Sequence, residues 1–181
     1  FITLASMSLL GGLTWAAPRV GHTLLLKGLQ PERLPHQSTP EAHGIPPSHI
    51  ERLRLPTTRQ RHLHAMLLHP ARIAGDPMPL VVALHGWSAN AATLLPLARP
   101  LNDAGIALLL IDARCHGLSD DDEFTSLPRF AEDLEAALSW ARCQTHIDAQ
   151  RIALAGHSVG AGAALLVAVI GVVTQGATFG S

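Results

Sequence analysis

Three short apolar runs, each followed by a loop of glycine and polar residues, dominate the second half of the chain. The runs are Leu80–Leu84, Ile106–Ile111 and, after its leading arginine, Arg151–Ala155. None of them alternates with polar residues, which is typical of strands buried on both faces of a parallel sheet. We therefore predict that they form buried strands of a parallel sheet.

Segments with helical periodicity separate these strands. Pro128–Cys143 places its large apolar residues on one stripe, and Asn90–Asn102 repeats leucines at helical spacing. In the segment Asn90–Asn102, Pro96 fits a first helical turn, whereas Pro100 is expected to kink or shorten the helix. Strands that alternate with helices in this way predict a mostly parallel sheet with helices on both faces.

Two further segments before the first run alternate between apolar and polar positions. Ile50–Leu55 and Arg61–Leu68 have the pattern of antiparallel strands with one exposed face, and Thr57–Gln60 is predicted to be the turn between them. We place one domain over residues 49–181, preceded by a proline-rich polar linker over residues 28–48.

The first 27 residues are apolar enough to predict a hydrophobic helix. Phe1–Ala17 is uncharged, and a single membrane anchor over residues 1–27 is favoured over a signal peptide. Cleavage after Ala17 is disfavoured because Pro18 would follow the cut. Basic residues just after the run favour a cytoplasmic domain, and an exported protein is the alternative.

Composition narrows the classes of partner and cofactor. The 181 residues carry a formal net charge of -1, which gives no reason to expect nucleic acid as a partner. Two cysteines do not make a disulfide framework. His62, His64 and His69 lack the neighbouring cysteines or carboxylates of a metal site, so no metal is expected.

The strongest chemical signal is the G-x-S-x-G pattern from Gly156 to Gly160. Between a strand and a helix, this pattern predicts a nucleophile elbow, a sharp turn that presents Ser158 in a strained backbone conformation. Glycines two residues away on either side avoid a clash at such a turn. Two other loops, His85–Ser88 and Asp112–Ser119, follow neighbouring strands and should meet the elbow at the carboxyl edge of the sheet.

Three motifs occur in order: H-G after the first apolar run, D-x-R-x-H-G-x-S after the second and G-H-S-V-G after the third. With them, Arg52–Val169 resembles the N-terminal half of an α/β-hydrolase, in the branch of bacterial esterases and serine aminopeptidases. The resemblance implies that Ser158 is the nucleophile and that the backbone N–H groups of Trp87 and Val159 form the oxyanion hole. It implies an ester, thioester or amide substrate, on a small molecule or peptide, and requires no metal or organic cofactor.

The resemblance gives the other motif residues supporting roles in the turns and the pocket floor. These residues are Gly156, His157, Gly160, His85, Gly86, Asp112, Arg114, His116 and Gly117. Neither His85 nor His116 is expected to act as the catalytic base. Cys115 stands where the family pattern has glycine, and we expect it to disturb that loop because cysteine does not readily adopt a positive φ.

The catalytic acid and base have no counterpart after the predicted nucleophile. In this fold they follow the serine in the order Asp or Glu, then His, yet Val159–Ser181 contains none of these residue types. We therefore expect a fold truncated after the elbow helix. The parent protein is expected to be a serine hydrolase, and this chain by itself an inactive fragment or a pseudoenzyme.

Overall fold

One mixed five-stranded sheet organises the described part of the chain. The computed structural model describes residues 20–71 and 77–176, with side chains as far as residue 171. The strands are β1 (Ile50–Thr57), β2 (Arg61–Leu68), β3 (Met78–Leu84), β4 (Ala107–Ile111) and β5 (Ile147–Gly156). Their order is β1-β2-β4-β3-β5, with β3 parallel to both β4 and β5 and with β2 antiparallel to both β1 and β4.

The predicted strands are present, with adjusted ends, but the expected burial of the strand before the elbow is wrong: β5 is an edge strand, and its residues 151–156 are exposed or half-buried because no further described strand covers its outer side. All five residues of β4 are buried, as expected for a strand covered on both faces. β1 and β2 pair antiparallel along their whole length, from Ile50 opposite Leu68 to Thr57 opposite Arg61. β5 begins at Ile147, before the predicted Arg151, and its pairing with β3 shifts register near Met78.

Helices pack on both faces of the sheet, as predicted. After helical residues 20–28, called α1, they are a 3-10 helix (Ala91–Leu97), α2 (Ala98–Asp103), α3 (Leu127–Arg142) and α4 (Val159–Gly176). Phe130 and Leu134 of α3 join one buried cluster with Ala163 of α4. Leu95 and Ala98 join the cluster on the opposite face.

The segment Asn90–Asn102, predicted to be one helix that Pro100 kinks or shortens, is divided into two short helices. A 3-10 helix that contains Pro96 leads into α2, which has only six residues. Proline removes a backbone donor, and it is tolerated in the first turn of an α-helix, where that donor has no partner. Pro100 occupies such a first-turn position in α2, so the two prolines divide the segment.

The proline-rich segment before β1 packs against the domain instead of extending into solvent. We call residues 29–48, which fall within the predicted linker, the strap. Arg33 Nη1 donates to the carbonyls of His116 at 3.1 Å and Ser119 at 2.9 Å. Asn90 Nδ2 donates to the carbonyls of Leu34 and Pro35 at 3.0 and 3.1 Å. Polar contacts and the buried side chain of Ile45 hold the strap, and a single apolar position of this kind gives no periodic signal that would reveal the docking.

The predicted membrane anchor falls mainly on residues 1–19, which lie outside the described residues. Residues 20–28 are helical and begin the described part of the chain. Across the two described ranges, no helix combines the length and the apolarity needed to span a bilayer.

The loop after β4 adopts the strained geometry that the glycine of the family pattern would accommodate. Cys115 has φ 65° and Gly117 has φ 46°. The Cys115 side chain is buried, and its sulfur accepts a hydrogen bond from the backbone N–H of Asp122 at 3.2 Å. Cys115 therefore adopts a left-handed backbone conformation. Its sulfur makes a contact that a glycine at this position could not make.

Replacing Cys115 with valine should destabilise the domain by about 2 kcal/mol, because a β-branched residue is poorly tolerated at positive φ. Cys115→Gly should stay within about 1 kcal/mol of the parent, since relief of strain offsets the lost sulfur contacts. Urea unfolding measures both changes. Cys143→Val is the matched control, because Cys143 is exposed and has φ -87°. Equal effects of the two valine substitutions would contradict the strain at position 115.

Candidate active site

The register of the sheet aligns the three motif loops. Leu84, the last residue of β3, pairs with Ile111 of β4 on one side and with Gly156 of β5 on the other. The loops that follow these residues therefore leave the sheet side by side at its carboxyl edge. Parallel strands bring separate sequence motifs together in this way.

Ser158 stands at the tip of a tight turn between β5 and α4. Its φ is 54°, a left-handed conformation that is uncommon for residues other than glycine. A Cβ on Gly156 would lie 2.3 Å from the backbone of Gly160, and a Cβ on Gly160 would lie 2.2 Å from the Leu84 carbonyl oxygen. The backbone approaches itself and β3 too closely for side chains at these two positions. The turn has the geometry of a nucleophile elbow.

The loop after β3 lies against this turn. A Cβ on Gly86 would be 3.3 Å from Ser158 Cβ and 3.1 Å from His157 Nδ1. In the described part of the chain, the backbone N–H groups of Trp87 and Val159 donate to no other residue, and Ser158 Oγ has no hydrogen-bond partner. Two unpaired donors therefore lie on the two segments that flank the serine hydroxyl.

Both ring nitrogens of His85 form hydrogen bonds with backbone groups. Its Nδ1 donates to the Gly86 carbonyl at 2.7 Å, and its Nε2 accepts from the Ala113 N–H at 3.0 Å. Burial disfavours the charged ring and lowers the pKa of His85 from 6.5 to about 4. This histidine joins the loops after β3 and β4 as a neutral ring.

His116 has a similar arrangement in the second motif loop. Its Nδ1 donates to the Arg114 carbonyl at 2.9 Å, and its Nε2 accepts from the Ser88 N–H at 3.2 Å. Burial lowers the pKa of this ring also. The ring packs edge-on against Trp87 and Phe130, which are stacked with centroids 6.3 Å apart. His116 thus supports the loop that carries the Trp87 N–H.

The Asp112 carboxylate collects donors from several segments. Oδ1 accepts from the Ala91 N–H at 2.7 Å, and Oδ2 accepts from the Leu118 N–H at 2.9 Å. His36 Nε2 and His64 Nδ1 lie 2.8 and 3.1 Å from Oδ2. Burial alone would raise the pKa of Asp112, but the hydrogen bonds from the two histidines and the two backbone groups outweigh it. The pKa is held well below its ordinary value.

Gly117 allows the Asp112 carboxylate to sit under the loop, because a Cβ at position 117 would lie 2.2 Å from Oδ2. Arg114 fastens the same loop to α3. Its guanidinium is fully buried and donates from Nη2 to Asp133 Oδ1 at 2.7 Å and from Nε to Asp133 Oδ2 at 3.2 Å. The Arg114 N–H adds a bond to Asp133 Oδ2 at 2.8 Å. A buried bidentate pair of this kind orients both partners.

Sequence reasoning missed three residues of this framework. Asp133 is one helical turn from Phe130. A carboxylate on the apolar stripe of α3 could have indicated a buried partner for a cation. His36 and His64 gave no such signal, because the strap and β2 are distant in sequence from Asp112. Ligand atoms of His36, His64 and Asp112 lie within 4.8 Å of one another. The spacing of His62, His64 and His69 predicted no metal site, and the structure instead groups His64 with His36 and Asp112.

Adding a methyl group at Gly160 should destabilise the domain by about 3 kcal/mol, because the Cβ would overlap the Leu84 and His85 carbonyls. Chemical denaturation of Gly160→Ala tests this expectation. Gly171→Ala is the control, since its Cβ would meet nothing within 4 Å in α4 and alanine favours the helix. Parent-like stability of Gly160→Ala would rule out the close approach.

The His85 ring should remain neutral until the pH falls towards about 4. The unfolded chain binds this proton near the ordinary pKa of 6.5, so the stability that His85 contributes declines as pH falls from about 6.5 to about 4. The decline amounts to about 3 kcal/mol at full protonation. Ring nitrogen chemical shifts in a pH titration by NMR measure the transition directly. Protonation of the folded protein near pH 6.5 would exclude the buried neutral ring.

Comparisons with known proteins agree with this geometry. Residues 75–174 match the family described as serine aminopeptidase, S33. An uncharacterized 31.7 kDa protein from the traX-finO intergenic region of Escherichia coli is 37% identical over 86 residues. That match covers 46% of this chain and 30% of the relative.

Solved structures with the same fold include two esterases. The Pyrococcus furiosus esterase Pf2001 superposes with a TM-score of 0.66 at 22% identity, over 76% of this chain and 50% of the esterase. Est1E from Butyrivibrio proteoclasticus, solved with ferulic acid, gives a TM-score of 0.58 at 25% identity over 65% of this chain and 47% of Est1E. The chain therefore spans half or less of the length of these proteins. Because the family match covers more than half of its residues, the chain belongs to the serine aminopeptidase (S33) family of the α/β-hydrolase superfamily.

Proposed function

We propose that Ser158 is the nucleophile of a serine hydrolase that cleaves esters, thioesters or amides through an acyl-serine intermediate. The observation that carries the proposal is the strained Ser158 at the meeting point of two loops with unpaired N–H groups. Strained residues cluster at active sites, and the surrounding close contacts with Gly156 and Gly160 hold this one in place. Family membership and the esterase fold of the structural neighbours support hydrolysis.

In the proposed reaction, Ser158 Oγ attacks the acyl carbonyl carbon and its proton passes to a general base. The carbonyl oxygen becomes an oxyanion, which accepts hydrogen bonds from the Trp87 and Val159 N–H groups. Val159 is the first residue of α4, so the helix N-terminus adds a favourable dipole. One such donor typically lowers the barrier by about 3 kcal/mol. The leaving group departs with a proton, and water then hydrolyses the acyl-serine.

The proposed substrate is an acyl compound of a small molecule or peptide. Trp87 is 39% exposed while its ring stacks on Phe130, so an indole face is available beside the proposed oxyanion hole. We propose that this ring forms one wall of the acyl pocket. The predicted membrane anchor over residues 1–27, its cytoplasmic orientation and the exported alternative stay predictions.

An inactive chain is the second proposal, and a specific observation favours it. Among the described residues, no histidine nitrogen or carboxylate oxygen hydrogen-bonds Ser158 Oγ, and residues 159–181 contain no Asp, Glu or His. His85 and His116 use both ring nitrogens in backbone contacts. Without a base, the hydroxyl of Ser158 stays a weak nucleophile. The 181-residue chain by itself would then have no hydrolase activity, as an inactive fragment or a pseudoenzyme.

A fluorophosphonate probe should label Ser158 in a parent protein that includes a triad acid and base. Ser158→Ala should abolish labelling and lower ester hydrolysis at least about a thousandfold, since the acyl-serine cannot form. Ser139→Ala is the matched control, because Ser139 is an exposed serine of α3 and its loss should leave labelling unchanged. Labelling that survives Ser158→Ala would overturn the nucleophile.

The same probe and p-nitrophenyl acetate separate the two proposals when applied to the 181-residue chain. Turnover no faster than that of its Ser158→Ala variant supports an inactive chain. Turnover that clearly depends on Ser158 refutes it and shows that a base within this chain activates the serine.

A further inference from the structure

Three side chains that can ligate a metal converge from three separate segments of the fold. His36 belongs to the strap, His64 to β2 and Asp112 to the loop after β4. His36 Nε2 lies 2.8 Å and His64 Nδ1 lies 3.1 Å from Asp112 Oδ2, and the ligand atoms are within 4.8 Å of one another. Among the described residues, no other group of three such side chains meets.

We propose that His36, His64 and Asp112 bind one zinc(II) ion, which fastens the strap to the domain. Two imidazole nitrogens and one carboxylate oxygen are a donor set that zinc uses with three protein ligands and one open position. Neighbouring ligands of tetrahedral zinc lie roughly 3.4 Å apart, for bonds of about 2.1 Å. The separations of His36 Nε2 and His64 Nδ1 from Asp112 Oδ2 are shorter than this by about 0.6 and 0.3 Å. Two nitrogen donors disfavour calcium and magnesium, which prefer oxygen ligands.

The backbone around the site restrains each ligand. The Asp112 carboxylate is oriented by the N–H groups of Ala91 and Leu118. Ser119 Oγ accepts from the His64 N–H at 2.8 Å and donates to the Asp112 carbonyl at 2.7 Å, which ties these two ligands together. Such supporting hydrogen bonds are typical of metal sites, where they orient the ligands.

The strap ligand is restrained in the same manner. The carbonyl of Pro35, next to His36, accepts from Asn90 Nδ2 at 3.1 Å, so the residue before the ligand is fixed to the domain. The His36 and His64 side chains are 17% and 14% exposed, whereas that of Asp112 is fully buried. The site therefore opens to solvent on its histidine side, where a water molecule can complete a tetrahedral set.

The alternative is a site without metal, in which His36 Nε2 and His64 Nδ1 each carry a proton. In that case His36 and His64 donate hydrogen bonds to Asp112 and no metal binds. The two arrangements differ in one measurable property, the affinity for zinc. The zinc proposal is independent of the proposed catalytic role of Ser158, because it concerns binding and strap docking only.

The test is a zinc(II) titration of the untagged 181-residue chain, made metal-free with a chelator, in competition with a chromophoric zinc indicator. We expect one zinc per chain. His36→Ala and His64→Ala should each weaken the affinity at least about 100-fold, because each removes one of three ligands. Cobalt(II) in place of zinc should give the intense visible absorption of a tetrahedral site, and zinc should raise the melting temperature.

Two variants keep the test decisive. His36→Gln can still donate a hydrogen bond to Asp112, so a folded His36→Gln that has lost zinc affinity separates ligation from folding. His69→Ala is the matched control, because His69 lies near Glu51 and His146 on another surface and should leave the affinity unchanged. Zinc affinity no tighter than that of a His36→Ala and His64→Ala double variant would overturn the proposal. An equal loss in His69→Ala would overturn it as well.

Discussion

The Asp112 carboxylate is the contact on which the arrangement of the motif loops depends. It is fully buried, and it accepts backbone hydrogen bonds from the start of the 3-10 helix and from its own loop, together with contacts from the strap and β2. A buried charge costs several kcal/mol to desolvate, and hydrogen bonds to a charged group contribute about 2 kcal/mol each. Four such contacts offset the desolvation, so each of the four segments contributes to the stability of the buried carboxylate.

Close approach of backbone to backbone is the second constraint, and it shapes the elbow. Gly160 lies against the end of β3, and Gly156 lies against Gly160, so side chains are excluded at both positions. The turn between them has no room to relax, which holds Ser158 at positive φ. His85 and His116 connect the loops after β3 and β4 to each other. The candidate site is thus a rigid set of backbone groups around one hydroxyl.

The same framework explains why family membership and catalysis are separate conclusions for this chain. The three loops, their register and the fold are those of an α/β-hydrolase. Activation of the serine needs a base and an acid, and within the described residues no such group hydrogen-bonds Ser158 Oγ. The backbone donors of the proposed oxyanion hole can therefore be in place although no base or acid hydrogen-bonds the proposed nucleophile.

The sequence by itself determined the strands, the helices on both faces and the elbow, because these depend on local patterns. Buried parallel strands need continuous apolar runs, and a G-x-S-x-G turn needs glycines at fixed offsets. It also identified the Cys115 position, where the structure has positive φ. Local periodicity failed where two prolines divided the predicted helix over Asn90–Asn102.

Only the tertiary structure decided the docking of the strap and the grouping of His36, His64 and Asp112. These contacts are largely polar and join residues far apart in the sequence, such as Arg33 and Ser119, which are 86 positions apart, so they follow no local period. The buried partner of Arg114 also became evident only in three dimensions, although Asp133 interrupts the apolar stripe of α3. The pattern of hydrophobic residues indicates which side chains are buried on folding. The pairing of buried polar groups depends on which distant segments the folded chain brings together.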